Sequence, residues 1–144
     1  MKQKLSERNK VKIYDYISLY EWNISKRFGE FNLKDTDLIS FRESNSILLG
    51  SLCNSNKDKI RKYKFFILWD DDKPSKYNKD VKNDSAHNLL RHIRNSMAHG
   101  LIFAENRQKF ALEDLNKNNN VSMYGIISSK LLFQLIEAIF QTSK

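Results

Sequence analysis

Chain breakers are scarce in this sequence, and this limits the folds open to it. The 144 residues include only four glycines and one proline. Sheets and sandwiches need many turns, and turns draw heavily on these two residue types. Hydrophobic residues make up 40% of the chain, which is sufficient for a buried core in a domain of this size. The composition therefore predicts a single, mostly helical domain over residues 1–144.

Apolar periodicity divides the chain into five predicted helices. These predicted helices cover residues 6–28, 36–53, 58–69, 85–99 and 127–141. Residues 101–104 and 109–112 are interpreted as a short β-hairpin, with a continued helix as the alternative. Residues 73–85 and 116–120 are polar and are predicted to be loops. Because short connections favour antiparallel packing, the predicted fold is all-α, an antiparallel bundle of four to five helices with a short β-hairpin before the C-terminal helix.

The chain is strongly basic, with a formal net charge of +8 and an isoelectric point of about 9.5. This charge favours a polyanionic partner such as nucleic acid, or an anionic membrane face. The alternative explanation is that the positive charge serves only to keep the protein soluble. Five basic residues lie close together at Lys57, Lys59, Arg61, Lys62 and Lys64. This run is interpreted either as a nucleic-acid-binding face or as an ordinary solvated helix surface.

The sequence contains no signal for secretion or for membrane insertion. No stretch approaches 18 apolar residues, the length that a spanning helix requires. The N-terminal segment MKQKLSERNKVK lacks the apolar region of a signal peptide. Cys53 is the one cysteine, which excludes an intrachain disulfide framework and fits a reducing cytoplasm. We therefore predict a cytoplasmic protein with no membrane partner.

The segment Ser85–His99 carries the most informative pattern. On an ideal helix, five apolar residues fall within about 100° of one another and predict a core face. They are Ala86, Leu89, Leu90, Ile93 and Met97. Polar residues occupy the opposite side within about 60°. They are Asn88, His92, Asn95 and His99, with Arg91 close beside them. Asp84 or Ser85 is the predicted N-cap, and Gly100 is the predicted stop.

This polar face differs from an ordinary solvated one. The segment has no lysine and no acid, although charged residues make up 29% of the chain, and it contains all three histidines. Solvated helix surfaces usually carry Lys and Glu, often as i,i+4 pairs. Short hydrogen-bonding groups beside arginines suit a cleft that holds an anion. A metal site is not predicted, because His92 and His99 lie two turns apart, about 10 Å of helical rise.

Each residue near the end of this helix also has a purely structural explanation. The helix macrodipole favours His99 at a C-terminus, Asn95 suits a surface position, and Arg94 can pair with an acid from another helix. Arg94 and His99 are also separated by about 140° around an ideal helix. To act on one phosphate, they would need a loosened last turn, the full reach of the arginine, or a second copy of the helix crossing the first.

The stretch Arg94–His99, RNSMAH, resembles the R-N-x-x-x-H form of the signature of the HEPN superfamily. The resemblance extends to the glycine stop, the hairpin and the final helix, whereas residues 1–80 match only as helices of suitable length. It implies a helical bundle, metal-independent endoribonuclease activity and a homodimer in which the two motif helices meet. Members include toxins of toxin–antitoxin pairs and anti-phage defence proteins. Other members are inactive modules that bind RNA, a nucleotide or a protein.

The resemblance assigns catalytic roles to Arg94, Asn95 and His99. Metal-free RNA cleavage uses the 2′-hydroxyl as nucleophile, and histidine can serve as its base or as the acid for the leaving oxygen. Arg94 would stabilise charge on the phosphorane, and Asn95 would orient His99 or bind a phosphate oxygen. The predicted RNA contacts are Arg91, His92 and Asn88. No cofactor or metal is expected, and the expected partners are RNA, a second copy of the chain and a cognate antitoxin protein.

Two other functions compete with the nuclease. The first is a non-catalytic HEPN-like module that binds RNA, a nucleotide or a protein partner. The second is a helical protein–protein module in which RNSMAHG is only a capped helix end. Salt dependence of RNA binding separates these two, because contacts to phosphates release counterions and weaken as salt rises.

Overall fold

The computed structural model describes residues 4–70, 84–106 and 108–142, and in these ranges helices and a sheet both occur. The described helices are α1 (Glu7–Leu19), α2 (Thr36–Ser44), α3 (Asn54–Lys59), α4 (Ser85–Ala98) and α5 (Ser129–Phe140). The described strands are β1 (Ile47–Ser51), β2 (Phe65–Trp69), β3 (Ile102–Ala104), β4 (Lys109–Leu115) and β5 (Val121–Ser128). A π-helical turn, Tyr20–Ile24, extends α1, and a 3-10 turn, Ile60–Lys62, follows α3. The prediction of an all-α bundle is therefore wrong, and the fold is mixed α/β.

The five strands form one mixed sheet in the order β1-β2-β5-β4-β3. Strands β1 and β2 run parallel, with Ile47 opposite Phe65, and all other neighbours run antiparallel. Parallel neighbours need a crossover connection, and α3 with its 3-10 turn supplies it here. The long hairpin β4–β5 occupies the middle of the sheet, and β3 forms the edge beside β4.

Two of the predicted helices are in large part strands. The second prediction is correct for α2 but wrong after Ser44, where β1 follows. The third prediction, residues 58–69, covers the end of α3 and the whole of β2. Both strands are short apolar runs, and residues 66–69 of β2 are all buried. Periodicity alone does not distinguish a buried strand of this kind from a buried helix.

Asparagine replaces glycine in the turns that the sheet requires. In the loop between β4 and β5, the Asn116 side-chain oxygen accepts hydrogen bonds from the amides of Asn118 (2.9 Å) and Asn120 (3.0 Å). Asn119 in the same loop has a positive φ of 61°. Asparagine tolerates this left-handed conformation and bonds its own backbone. The scarcity of glycine and proline was therefore a poor argument against strands.

Several local predictions are confirmed. Ser6 caps α1 by accepting a hydrogen bond from the amide of Asn9 at 3.1 Å. The hairpin is formed by β3 and β4, with Ile102 opposite Leu112. The last helix begins at Ser129, two positions later than predicted, because Ile127 belongs to β5, which ends at Ser128. Residues 73–83 of the predicted first loop lie outside the described residues.

Helices α4 and α5 pack against the sheet, and α1 packs against α4. One cluster of buried residues joins Leu89 and Leu90 of α4 and Leu135 of α5 to Phe110 and Ile127 of the sheet. Within the described ranges, no helix has the length and apolar character that a membrane span would require.

Candidate functional site

Helix α4 has well-defined ends, and these fix the position of the motif. The Asp84 carboxylate accepts a hydrogen bond from the amide of His87 at 3.0 Å, as the N-cap prediction required. Gly100 has a φ of +70°, and its amide bonds to Met97 O at 3.2 Å, while the amide of Leu101 bonds to Ser96 O at 2.7 Å. This pair of bonds is a Schellman motif, in which glycine supplies the left-handed residue. The predicted stop is confirmed, and His99 is the C-cap residue of α4.

The predicted core face of α4 is also confirmed. Its five residues are all buried, with Leu89, Leu90 and Ile93 fully so. Helix α1 crosses this region, where the Tyr16 hydroxyl donates to the backbone carbonyl of Leu90 at 2.8 Å. These contacts leave α4 little freedom to rotate, so the directions of its polar side chains are fixed by the fold.

His92 lies in the interior rather than on an open face. Its Nε2 is 3.0 Å from the backbone carbonyl of Asp70, and its Nδ1 is 2.7 Å from Oδ2 of Asp114. Since a carbonyl oxygen can only accept, Nε2 donates to Asp70, and Nδ1 faces the carboxyl group of Asp114. His92 and Asp114 are 3% and 2% exposed. The pair therefore joins α4 to β4 and to the end of β2, and His92 has almost no surface for RNA.

The second polar contact of Asp114 reaches the motif itself. Asn95 Nδ2 donates to Asp114 Oδ2 at 3.3 Å, and Arg94 Nη1 donates to Asn95 Oδ1 at 2.8 Å. Asp114 Oδ1 is buried, and no hydrogen-bond partner for it occurs among the described residues. A buried carboxylate is costly unless it is paired. Its position beneath Asn95 indicates that it orders the polar residues of α4.

Arg94 is paired with an acid from another helix, as the structural alternative had allowed. Its Nη2 bonds to the carboxylate of Glu21, and its guanidinium carbon lies 5.6 Å from the centre of the Tyr20 ring. The π-helical turn at the end of α1 carries both of these residues. Burial raises the pKa of Tyr20, although Arg91 and Arg94 oppose that rise. The phenol therefore stays neutral against the guanidinium.

The three histidines of α4 have different surroundings. His99 is exposed, whereas His87 and His92 are buried. His87 stacks on Phe28 with ring centres 4.2 Å apart, and burial lowers its pKa, so it is neutral near pH 7. Its role is in the core, and His99 is the one imidazole of the three that solvent reaches.

The remaining predicted residues are only partly brought together. Asn88 is 8% exposed, so a direct phosphate contact is not available to it, while Arg91 is half-buried near Tyr20. No contact joins the side chains of Arg94 and His99 in the described part of the chain, because Arg94 extends toward α1. Among the residues that the structure describes, no cluster of three or more His, Cys, Asp or Glu is arranged to hold a metal ion.

Sequence reasoning did not find Asp114, Glu21 or Tyr20. Asp114 had a recognisable signal, since it occupies an inward position of β4 in line with Phe110 and Leu112. An acid at such a position is rare unless a partner meets it. Glu21 had no such signal, because its partner lies 73 residues away in the sequence.

Fold and site together define a mixed α/β domain whose motif helix ends in an exposed imidazole beside an ordered arginine–asparagine pair. The chain matches no protein-family model, no curated protein and no solved structure. The likeness to the HEPN superfamily therefore depends on the residues Arg94–His99 and stays a prediction.

Proposed function

We propose that this protein is a metal-independent endoribonuclease in which Arg94, Asn95 and His99 act on the scissile phosphate. The observation that carries the proposal is the position of His99, the exposed histidine of α4, one helical turn beyond Asn95. Asn95 is held from below by Asp114 and in turn accepts a hydrogen bond from Arg94. Arg94 and Asn95 are thus ordered on a buried support, which a solvated helix end does not need.

The proposed reaction breaks one phosphorus–oxygen bond and forms another. The 2′-oxygen attacks phosphorus, the bond to the 5′-oxygen breaks, and the products are a 2′,3′-cyclic phosphate and a 5′-hydroxyl. One group removes the proton from the 2′-hydroxyl, and another delivers a proton to the leaving oxygen. Histidine titrates near neutral pH and suits either role. Arg94 stabilises the charge that accumulates on the non-bridging oxygens.

Arg94 must exchange its present partner to act on a phosphate. Its ion pair with Glu21 is accessible, because the Glu21 side chain is 50% exposed and that of Arg94 is 30% exposed. Ion pairs of this accessibility contribute only about 0–1 kcal/mol. A dianionic transition state forms a stronger charge-assisted contact, so the exchange is favourable when RNA is bound.

A second copy of the chain completes the proposed site. Arg94 and His99 are on different sides of α4, and a crossing motif helix would bring Arg94 of one chain near His99 of the other. Two His99 side chains would then divide the roles of base and acid. RNA, a second copy and a cognate antitoxin protein are the proposed partners, and the resemblance suggests a toxin or an anti-phage defence protein. The net charge of +8 supports RNA as the substrate, and the proposed location is the cytoplasm.

One observation favours a second candidate, a non-catalytic module that binds RNA, a nucleotide or a protein. Arg94 is already neutralised by Glu21 and covered by Tyr20. If that pair persists in the presence of RNA, the motif serves only to hold α1 against α4.

Cleavage of a mixed RNA pool in EDTA tests the proposal. His99→Ala and Arg94→Ala should each reduce cleavage by at least ~10²-fold without lowering the melting temperature greatly. Gln141→Ala is the matched control for His99, because Gln141 is the exposed C-cap residue of α5. Arg27→Ala is the matched control for Arg94, because Arg27 also pairs with an acid, Glu30, and also lies over an aromatic ring.

Both control variants should cleave like the wild type. Equal activity in the wild type and all four variants would point to a contaminating nuclease. No cleavage by any of these five proteins would favour the binding module. Loss of activity together with unfolding in the His99 variant would mean that the residue is structural.

A further inference from the structure

A groove lies between helices that are distant in the sequence. It is bounded by the first two turns of α1, by Phe41 of α2 and by α5 between Ser129 and Glu137, and its volume is about 880 Å³. This volume falls within the range of ligand-binding clefts. The groove is separate from the motif, since no residue of α4 lines it.

The walls of the groove carry an excess of positive charge. Arg8, Lys12 and Lys130 line it, and Glu137 is the one acid among its lining residues. Arg8 and Lys130 are exposed. None of these three basic residues forms an ion pair within the described part of the chain. Three unpaired cations facing one cleft repel one another, so an anion bound there relieves the repulsion.

Two phenylalanine side chains lie among these charges. Phe41 and Phe133 line the groove and are half-buried, because both also pack against the core. The Lys12 amine lies 5.4 Å from the centre of the Phe133 ring, and Phe110 supports that ring edge-on at 6.3 Å. The Phe133 ring is thus held in place at the wall of the groove, where aromatic side chains can stack on bases. A positively charged groove with aromatic platforms is the general form of a site for single-stranded nucleic acid.

The groove and the motif lie at opposite ends of α1. Arg8 is in the first turn of this helix, and Glu21, which contacts Arg94, follows its last turn. The helical rise between them is roughly 20 Å. Sites for single strands extend over about 4–16 nucleotides, so one strand is long enough to reach both places.

We propose that this groove binds a stretch of single-stranded RNA apart from the scissile phosphate, with Arg8, Lys12 and Lys130 on the backbone and Phe41 and Phe133 against bases. Naming RNA as the occupant rests on the proposed function. An acidic peptide would use the cations but not the rings, so the rings favour RNA.

Fluorescence anisotropy with a 2′-O-methyl RNA oligonucleotide, which cannot be cleaved through its 2′-oxygen, tests the groove without any catalysis. The variant is Arg8→Gln with Lys130→Gln, since both side chains are exposed and their loss should not disturb the fold. The control is Lys26→Gln with Lys34→Gln, two exposed lysines that do not line the groove. For single strands each phosphate contact contributes about 0.7 to the slope of log affinity against log salt. The groove variant should lose about 1.4 from that slope, and the control should keep the wild-type slope.

Cross-linking of the same oligonucleotide carrying 4-thiouridine gives a second, independent readout. Peptides that contain Phe41 or Phe133 should be the principal cross-linked products. The proposal is overturned if wild type does not bind the oligonucleotide, if groove and control variants lose equal slope, or if cross-links fall elsewhere. If polyglutamate displaces the labelled oligonucleotide as effectively as unlabelled RNA does, the groove binds acidic peptides, and this result also overturns the proposal.

Two further results separate this proposal from the proposed function. His99→Ala should bind the oligonucleotide like the wild type, and the groove variant should still cleave a dinucleotide, which is too short to reach the groove. A groove effect on binding in a protein that cleaves nothing would keep this inference and refute the nuclease. If the protein cleaves RNA but the groove variant binds the oligonucleotide like the wild type, the nuclease proposal stands and this inference is refuted.

Discussion

Removal of the Asp114 carboxylate should destabilise the fold far more than its small size suggests. Asp114→Ala deletes the 2.7 Å contact to His92 and the 3.3 Å contact to Asn95. It leaves the Nδ1 atom of His92 unpaired in a position where the residue is only 3% exposed. Breaking a buried pair by removing one partner costs roughly 3–5 kcal/mol. This is a large part of the ~5–15 kcal/mol that stabilises a typical domain.

Urea unfolding measures this cost through two signals. Circular dichroism reports the helices, and fluorescence reports Trp69, which is buried on β2 and should shift to longer wavelength on unfolding. Glu113→Ala is the matched control, because Glu113 is the neighbouring acid on β4, points to the other face of the sheet and is only half-buried. The control should change the free energy of unfolding by no more than about 0.5 kcal/mol.

Asp114→Asn sharpens the test. The amide keeps the shape of the side chain and can still donate to Nδ1 of His92, so its cost should be clearly smaller than that of alanine. The melting temperature should fall by about 6–20 °C for Asp114→Ala, at about 2–4 °C per kcal/mol. A cost below about 1 kcal/mol for Asp114→Ala, or one equal to that of Glu113→Ala, would refute the view that this pair joins α4 to the sheet.

Three other perturbations have definite expected outcomes. Glu21→Gln removes the competitor for Arg94, so the affinity for a non-cleavable RNA should rise in anisotropy titrations, and weaker binding would contradict the exchange of partners. Gly100→Ala should cost about 1–2 kcal/mol in denaturant unfolding, because the φ of +70° is strained for alanine although no atom lies within 4 Å of the added Cβ; an unchanged stability would contradict this. Hydrogen bonds, first from the Ser55 side chain, lower the pKa of Cys53 to about 7. Its alkylation rate should therefore reach half-maximum near pH 7, since the thiolate is the nucleophile, and a midpoint near pH 9 would show that these bonds are absent in solution.

Helix α4 could be predicted because its signals are local. The Asp84 cap, the spacing of the core residues and the Gly100 stop lie within a few positions of one another in the sequence. The hairpin that follows was predictable for the same reason. Strands β1 and β2 were not, because each is a short apolar run, and periodicity alone does not distinguish such a run from part of a buried helix.

The polar side of α4 shows the limit of a helical projection. The projection places Asn88 and His92 opposite the core face, and this is where α4 meets other elements instead of solvent. His92 contacts β4 and the end of β2, and these contacts depend on which elements pack beside the helix. A projection gives directions around one helix, but it contains no information on what occupies each direction. The roles of Asp114 and Glu21 depend on the same long-range packing.

The chemistry of the product ends tests the nuclease most directly. RNA incubated with the wild-type protein in EDTA should yield 2′,3′-cyclic phosphate and 5′-hydroxyl ends. A single 2′-deoxy substitution at the mapped cleavage site should abolish cleavage there, because the attacking oxygen is missing. Two results would contradict the roles proposed for His99 and Arg94. One is a product with 3′-hydroxyl and 5′-phosphate ends, and the other is cleavage that still occurs at the 2′-deoxy site.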